Sequence, residues 1–299
     1  MAEIGVMIEA QEGLDWNRWR QIAPQADRLG FASLRCSDHC FSVAGVEGRQ
    51  ALQTWVALAL AAEWTDRIQL GPMVSPMTFY EPAVLGRIAL AVDELSEGRL
   101  LLGVGTGWYQ AEYERMGIPF PSLRERFDRL EAGIRRIRSV LEGRPVPLLI
   151  GGAGERRTLG LAAREASEWN VMSLSPDAYR AKSALLDERC REVGRDPSEI
   201  RRSIMGGYLI GHDQAELEWR AAALREVLPE LGGMSPGEVV AGLRERKGRW
   251  FVGSSEEIAA EMRQYIAVGV QLFMLQHYLL DDSDGLEVLA AEVMPAVSG

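Results

Sequence analysis

Short runs of apolar residues alternate along this chain with longer segments of mixed apolar and polar character. The short runs have the length of buried strands, and the longer segments carry apolar residues at helical spacing. Eight strand-then-helix units follow from this pattern, with strands predicted at 4–8, 33–37, 68–74, 100–104, 148–150, 169–173, 200–210 and 271–276. Strict alternation predicts parallel strands, because each crossover between parallel neighbours needs a helix.

Eight units within 299 residues favour an α/β fold closed into a (β/α)8 TIM barrel. The alternative with the same alternation is an open, doubly wound sheet. Helix signals support the assignment, since Ser122 and Glu125 form a capping-box pattern at the start of a helix predicted over 124–141. No linker rich in proline, glycine or serine interrupts the pattern, so residues 1–299 are expected to form a single barrel domain.

The composition narrows the classes of partner. With 33 basic and 43 acidic residues the net charge is −10, which disfavours nucleic-acid binding because a binder needs a basic face to displace counterions from phosphates. Three cysteines, Cys36, Cys40 and Cys190, suit a reducing compartment. The first residues lack a signal-peptide pattern, and no apolar run reaches about 18 residues, so a cytoplasmic protein without a membrane partner is expected.

Candidate chemistry collects at the ends of the predicted strands, where a barrel places its active site. His39 follows the second strand and can exchange a proton near neutral pH, although a structural histidine bound to a loop is the alternative. Trp108 follows a glycine-rich loop and is expected to form one wall of a pocket for an aromatic ligand. Together with Glu9 and His277, which also stand at strand ends, Trp108 is a candidate for the substrate pocket.

Two glycine-rich segments, 103–107 and 151–154, follow strands and allow a flat or phosphorylated ligand to approach the backbone. The second precedes a predicted helix, whose first amides can bind an anion. Both segments would also serve as ordinary turns between strand and helix. Neither has the spacing of a Rossmann or P-loop motif.

A metal site and a hydrolase are both disfavoured by the motifs. Cys36, His39 and Cys40 form a Cys-x2-His-Cys pattern, but a strand directs neighbouring side chains to opposite faces and the local spacing supplies no fourth ligand. No metal is therefore expected. The sequence contains neither His-Glu-x-x-His nor Gly-x-Ser-x-Gly, so nothing supports a hydrolase.

Several longer motifs are distributed over nearly the whole length of the chain. They are Ser37-Asp-His, Ile68-Gln-Leu-Gly-Pro-Met-Val, Leu95-Ser-Glu-Gly-Arg-Leu-Leu-Leu-Gly-Val-Gly-Thr-Gly-Trp, Gly117-Ile-Pro-Phe, Arg124-Glu-Arg-Phe-Asp-Arg-Leu, Leu149-Ile-Gly-Gly-Ala-Gly-Glu and Phe273-Met-Leu-Gln-His. Together they resemble the luciferase-like monooxygenase superfamily. The Ser-Asp-His motif is similar to the one in the branch of this superfamily that uses the deazaflavin F420.

The resemblance implies a (β/α)8 barrel, usually a homodimer, with F420 or FMN bound at the carboxyl ends of the strands. It places Asp38 against the cofactor and His39 beside the reactive ring, and it implies a cis peptide at Met73–Val74 that supports the ring. The candidate cofactor contacts are Asp38, Met73, Val74, Ser75, Gly105, Thr106, Gly107, Trp108, and, in a phosphate-binding loop, Gly152, Ala153, Gly154 and Glu155.

Two departures from the branch bear on the substrate. Its sugar-phosphate dehydrogenases have Glu at the position of Trp108 and Trp at the position of Val43, so sugar phosphate is not carried over. The segment between Leu141 and Leu148 is also shorter than in many relatives, which favours a more open pocket.

The resulting hypothesis is an F420-dependent oxidoreductase that transfers a hydride between deazaflavin and a small organic substrate, with His39 as general acid and base. The alternatives are an FMNH2-dependent monooxygenase of the same family and a non-catalytic flavin-binding barrel.

Overall fold

The computed structural model describes residues 1–141, 143–144 and 146–298. The strands are β1 (Glu3–Ile8), β2 (Ser33–Cys36), β3 (Gln69–Pro72), β4 (Ser75–Pro76), β5 (Leu102–Gly105), β6 (Leu148–Gly151), β7 (Glu168–Met172), β8 (Arg201–Ile210), β9 (Trp250–Gly253) and β10 (Leu272–Gln276). The helices are α1 (Trp16–Arg28), α2 (Thr54–Trp64), α3 (Pro82–Leu95), α4 (Gln110–Met116), α5 (Leu123–Val140), α6 (Arg157–Glu165), α7 (Pro176–Glu192), α8 (Gln214–Val227), α9 (Pro236–Arg244), α10 (Ser255–Ile266), α11 (Ser283–Val288) and α12 (Met294–Ser298).

The strands form one parallel ring. Their order is β3-β2-β1-β10-β8-β7-β6-β5-β4, and a bridge from Leu70 of β3 to Leu100 ahead of β5 closes the circle. The third strand of the ring is divided, because β4 resumes it after Met73 and Val74. The predicted (β/α)8 barrel is confirmed, and the open, doubly wound alternative is wrong.

Glycine is required where β3 and β5 approach each other. A Cβ at Gly71 would lie 2.0 Å from the carbonyl oxygen of Leu101, and one at Gly103 would lie 2.2 Å from that of Pro72. Any larger residue at either position would force the two strands apart. These glycines therefore permit closure of the ring on the side that carries the divided strand.

The inside of the barrel holds an ion pair among apolar side chains. Arg35 on β2 stands in register with Met7, and Glu168 on β7 stands in register with Leu149. The Arg35 Nη2 and Glu168 Oε2 atoms are 3.6 Å apart, and both side chains are almost fully buried. Burial lowers the pKa of Arg35 to about 10, although the charge of Glu168 opposes this, and burial raises the pKa of Glu168.

The ten-residue strand β8 belongs to two packing units. Its residues Ser203–Gly207 pair with β10 inside the ring, whereas Gly207–Ile210 pair with β9. Beyond the ring, β9 packs with α8 and α9 around a small apolar cluster that includes Leu224, Val240 and Trp250. This outlying cluster lies at the carboxyl end of β8.

Most predicted elements agree with the structure to within a few residues, and the helix predicted at 82–95 has the same bounds. The sequence pattern missed α4 and β9. Trp219, expected to pack, is 62% exposed. The short connection predicted between 141 and 148 includes Glu142 and Pro145, which lie outside the described residues.

Candidate active site

A largely apolar cavity of about 330 Å³ opens at the carboxyl ends of the barrel strands. Every strand of the ring except β10 contributes to it, either directly or through the loop that follows, and α4 adds the remaining wall. The lining residues are Glu9, Ser37, His39, Met73, Val74, Pro76, Gly107, Trp108, Glu112, Tyr113, Gly151, Gly152, Asn170, Val171, Met172 and Met205.

His39 is held in this cavity by Glu112. The His39 Nδ1 atom lies 2.9 Å from Oε2 of Glu112, and the other carboxylate oxygen accepts the backbone N–H of Cys40. Only 1% of the Glu112 side chain is exposed, against 16% for His39. A carboxylate can only accept, so Nδ1 carries the hydrogen and Nε2 remains available for proton exchange.

The charge of Glu112 decides the protonation behaviour of His39. Burial by itself would lower the pKa of the imidazole, but the hydrogen bond and charge of Glu112, helped by Glu9 and Asp38, raise it above the ordinary 6.5. The acid is therefore suited to hold His39 in one orientation and to stabilise its protonated form.

Asp38 lies outside the cavity lining, although the resemblance implies a cofactor contact. Its Oδ2 accepts hydrogen bonds from Ser75 Oγ at 2.5 Å and from the Tyr80 hydroxyl at 2.9 Å. Burial raises the pKa of this carboxyl, and the hydrogen bonds from Ser75 and Tyr80 oppose that rise. In this structure Asp38 and Ser75 form a polar support beneath the divided strand.

The apolar wall of the cavity comes from the break between β3 and β4. Met73 and Val74 both line the cavity, and the peptide bond that joins them is cis. This confirms the cis bond implied by the family resemblance. Gly105 lies against the wall, since a Cβ there would be 2.7 Å from Cγ2 of Val74.

The loop after β5 is held by buried polar groups. Gly107 and Trp108 line the cavity, whereas Gly105 and Thr106 lie outside its lining. The Gly107 carbonyl accepts a hydrogen bond from the guanidinium of Arg126, which is 8% exposed. On the other side, the hydroxyls of Thr78 and Tyr113 are 2.5 Å apart.

Replacing Gly107 with alanine is expected to destabilise the protein by more than about 1 kcal/mol, because Gly107 has φ +74° and its Cβ would lie 1.8 Å from the Tyr113 hydroxyl. Gly117→Ala is the matched control, since Gly117 has φ +68° and nothing within 4 Å. Urea unfolding of both variants separates the cost of the steric clash with Tyr113 from the cost of the positive φ that both positions share. Equal losses would show that the Tyr113 contact is unimportant.

The loop expected to bind phosphate adjoins the cavity, and two charged residues next to it are engaged elsewhere. Gly152 lines the cavity, and Ala153 and Gly154 lead from it towards α6. Glu155 pairs with Lys182 at 2.5 Å, away from the cavity lining. Arg157 donates to Asp128 and Glu131 on α5, so the backbone amides and the exposed side chain of Arg156 are the donors that remain next to the loop.

A second, more polar recess of about 450 Å³ adjoins the cavity on its outer side, and the two share Glu9, His39, Trp108 and Met172. Its remaining lining residues are Gln11, Glu12, Val43, Ala44, Leu228, Glu230, Arg249, Gln276 and Tyr278. Trp108 is 63% exposed, and its ring lies edge-on to His39 with 5.9 Å between centroids. Glu9, His39 and Trp108 thus mark the junction between an inner apolar cavity and an outer recess.

The structure places His277 away from the cavity and the recess, contrary to its candidacy for the substrate pocket. The side chain is 2% exposed, and its Nδ1 lies 2.6 Å from the Tyr208 hydroxyl. Burial lowers the pKa of His277 to about 4. This histidine is neutral and packs beneath the end of β10.

Residues that the sequence did not single out complete the site. Glu112 and Tyr113 come from the unpredicted helix α4, and Asn170 comes from the interior of β7. No local signal in the sequence pointed to Glu112, because α4 is short and its contact with His39 joins distant parts of the chain.

Over the described ranges, no group of three or more His, Cys, Asp or Glu side chains is arranged to hold a metal ion. The three cysteines are free thiols, and Cys40 is the exposed one. Within the same ranges, no helix has both the length and the apolar character needed to cross a bilayer.

Comparison with known proteins gives a consistent set of similarities. The family model described as luciferase-like monooxygenase matches residues 1–272. An F420-dependent glucose-6-phosphate dehydrogenase from Kineococcus radiotolerans is 28% identical, over 92% of this chain and 91% of the relative. An F420-dependent hydroxymycolic acid dehydrogenase from Mycobacterium tuberculosis is 27% identical, over 74% of this chain and 67% of the relative.

Solved structures share the architecture at lower sequence identity. An F420-dependent secondary alcohol dehydrogenase in complex with an F420-acetone adduct superposes with a TM-score of 0.81 at 21% identity, covering 99% of both chains. A long-chain alkane monooxygenase superposes with a TM-score of 0.80 at 14% identity, covering 99% of this chain and 91% of the other. At these identities the likeness concerns the fold.

Proposed function

Because the chain belongs to the luciferase-like monooxygenase family, we propose that it is an oxidoreductase that uses the deazaflavin F420 to move a hydride to or from a small organic substrate. The observation that carries the proposal is His39, fixed by buried Glu112 where an apolar cavity meets an outer recess. The names of the F420-dependent relatives support the choice of cofactor.

The inner cavity suits a flat ring system. Met73, Val74 and Met205 offer apolar surface, while Ser37 and Asn170 offer polar groups in the same lining. Backbone at Gly151 and Gly152 lies open to the cavity without an intervening Cβ. A planar heterocycle with apolar faces and polar edges matches this arrangement.

The proposed assignment gives distinct roles to the candidate cofactor contacts predicted from the sequence. Met73, Val74, Gly107 and Trp108 would contact the ring, and Asp38 and Ser75 would support it from beneath. The loop comprising Gly152, Ala153, Gly154 and Glu155 would bind the phosphate through its backbone, and Gly105 and Thr106 would position the adjoining turn. His277 is left out of the assignment because it is buried away from both cavities.

When bound, a deazaflavin supplies the hydride acceptor or donor. His39 supplies the proton chemistry, since Glu112 fixes the hydrogen on Nδ1 and leaves Nε2 to accept a proton during oxidation and return it during reduction. Glu112 orients the imidazole and stabilises its charged form. Trp108 would lie beside the bound ring at the mouth of the cavity.

The rate of substrate oxidation is expected to rise with pH, because neutral His39 accepts the proton. Its pKa is raised by Glu112, so the rise in kcat/KM should be centred above the ordinary value of 6.5. For the reverse reaction, the rate of substrate reduction should fall through the same pH range. Initial rates from about pH 5 to about pH 9 measure both limbs, and two profiles of the same slope would contradict the assignment.

The deciding experiment is a parallel titration with F420 and with oxidised FMN, followed by absorbance and fluorescence. Micromolar or tighter binding of F420 with much weaker binding of FMN supports the proposal. Stronger binding of FMN, with oxygen consumption by the reduced form, would favour the FMNH2-dependent monooxygenase, which the description of the family model supports. Binding without redox exchange would favour a non-catalytic flavin-binding barrel.

We further propose that residues 1–299 act as one domain, and that the protein works as a homodimer in the cytoplasm. Val56 on α2 and Val84 on the neighbouring α3 are 50% and 54% exposed, and a partner subunit would cover such apolar side chains. Light scattering coupled to gel filtration measures the state directly. The mass of a monomer at micromolar concentration would contradict the dimer.

A further inference from the structure

The outer recess has a chemistry of its own, distinct from that of the inner cavity. Val43, Ala44 and Leu228 supply apolar walls, and Arg249 is the one arginine or lysine among its described lining residues. Glu9, Glu12 and Glu230 supply negative charge. The recess lies beside His39, so a molecule bound there would present its reacting atom to the imidazole.

Glu9 is fixed at the junction by the side-chain amides of Gln276 and Gln11, and a neighbouring donor sets the orientation of each amide. Gln276 accepts a hydrogen bond from Arg249 at 2.8 Å, so its NH2 group is turned to donate to Glu9 Oε1 at 2.5 Å. Gln11 accepts from Ser37 at 2.5 Å, so its NH2 group donates to Glu9 Oε2 at 3.0 Å. Each carboxylate oxygen retains a further lone pair for a ligand.

The neighbouring carboxylate Glu12 is occupied in a different way. It accepts hydrogen bonds from Ser42 at 2.8 Å and from the amides of Val43 and Ala44, and it pairs with Arg49. Glu12 therefore builds the loop that forms one wall of the recess, and Glu9 is the carboxylate that faces the junction.

Charge in the recess disfavours anionic substrates. A phosphorylated molecule would meet Glu9 and Glu230, and Arg249 already donates to Gln276. Like charges brought together out of water cost binding energy, so a molecule without phosphate or carboxylate groups fits best.

Desolvation of Glu9 adds a second requirement. A substrate that fills the recess removes water from the free lone pairs of the carboxylate, and that loss is offset only if the substrate donates a hydrogen bond. The hydroxyl that reacts must face Nε2 of His39. A second hydroxyl is needed for Glu9.

We propose that the outer recess takes a mostly apolar molecule without anionic groups that carries two hydroxyl groups, one reacting at His39 and the other donating to Glu9. This rests on the proposed function. Oxidation turns the reacting C–O bond into C=O: the hydride, with its electron pair, passes to the oxidised deazaflavin, and the hydroxyl proton passes to Nε2 of His39. The product is a hydroxyketone, and Glu9 is a specificity-determining residue.

The test uses the full chain loaded with F420, whose binding is measured first, so that loss of the cofactor is recognised as a failure of the proposed function. The probes are 1,2-cyclohexanediol, cyclohexanol and glucose 6-phosphate. Turnover is followed by the absorbance of oxidised F420, and binding by saturation-transfer NMR. We expect kcat/KM for the diol to exceed that for cyclohexanol by about ten- to hundredfold, with glucose 6-phosphate the poorest.

Glu9→Gln should bring the ratio between diol and cyclohexanol towards one, since it removes the charged acceptor. Glu188→Gln removes an exposed carboxylate on α7, outside both cavities, and should leave the ratio as in the wild type. Equal kcat/KM values for diol and cyclohexanol in the wild type would overturn the proposal. So would preference for glucose 6-phosphate, or absence of diol binding while F420 stays bound, and neither result depends on the folding of a variant.

Discussion

His39→Ala is expected to lower kcat for F420-dependent turnover by about 10²- to 10⁴-fold, the usual contribution of a positioned general acid or base. The imidazole lies at the junction of the two cavities and is the group there suited to exchange a proton near neutral pH. F420 affinity should change little, since the ring is held mainly by the apolar wall. Stopped-flow turnover and F420 titration of the same preparations measure both quantities, and turnover equal to the wild type would exclude His39 from catalysis.

Glu112→Gln separates positioning from catalysis. The substitution removes the charge that raises the pKa of His39, so burial should then lower that pKa and shift the rise in oxidation rate to lower pH. Glu114→Gln is the matched control, because Glu114 is on the same helix, exposed, and bonded to Gln110. A profile that loses height without moving along the pH axis would show that Glu112 has only a structural role.

Arg35→Met is expected to cost about 3–5 kcal/mol of unfolding free energy, because it leaves the buried carboxylate of Glu168 without its countercharge. The exposed pair of Arg189 and Glu192 provides the control, and Arg189→Met should cost less than about 1 kcal/mol. Urea unfolding at neutral pH measures both. A loss for Arg35→Met no larger than that for Arg189→Met would contradict this account of the ion pair.

A double variant and the pH dependence of the unfolding free energy make that test more specific. Arg35→Met combined with Glu168→Met should recover most of the loss, since a matched apolar pair removes the buried charge altogether. In the single variant the pKa of Glu168 should rise further above its ordinary 4.5, because Arg35 lowers it. Ionised Glu168 is then more favourable in the unfolded chain than in the folded protein. The loss of unfolding free energy should therefore grow as pH rises and shrink as Glu168 becomes protonated.

Local patterns were sufficient for the barrel and for much of its active-site face. The helix at 82–95 and the capping box of Ser122 and Glu125 follow from spacing and short-range hydrogen bonds, and the structure has both. His39, Met73, Val74 and Gly107 lie at strand ends, which is where a parallel barrel directs its loops.

Contacts that join distant parts of the chain could not be predicted in this way. Glu112 meets His39 across 73 positions, and the helix that carries it has seven residues and little apolar periodicity. His277 follows a strand as His39 does, but Tyr208 encloses it, which depends on the packing of two neighbouring strands. β9 is short and pairs only with the far half of β8, so the alternating pattern gave no separate unit for it.

Because β8 pairs both within the ring and with β9, its position has an evolutionary consequence. Its first half keeps the register of the ring, while its second half carries the unit of β9, α8 and α9. The segment that joins α8 to α9 supplies Leu228 and Glu230 to the recess. A lineage can therefore exchange or resize that segment and acquire a new substrate range while the hydride-transfer chemistry on the barrel is inherited intact.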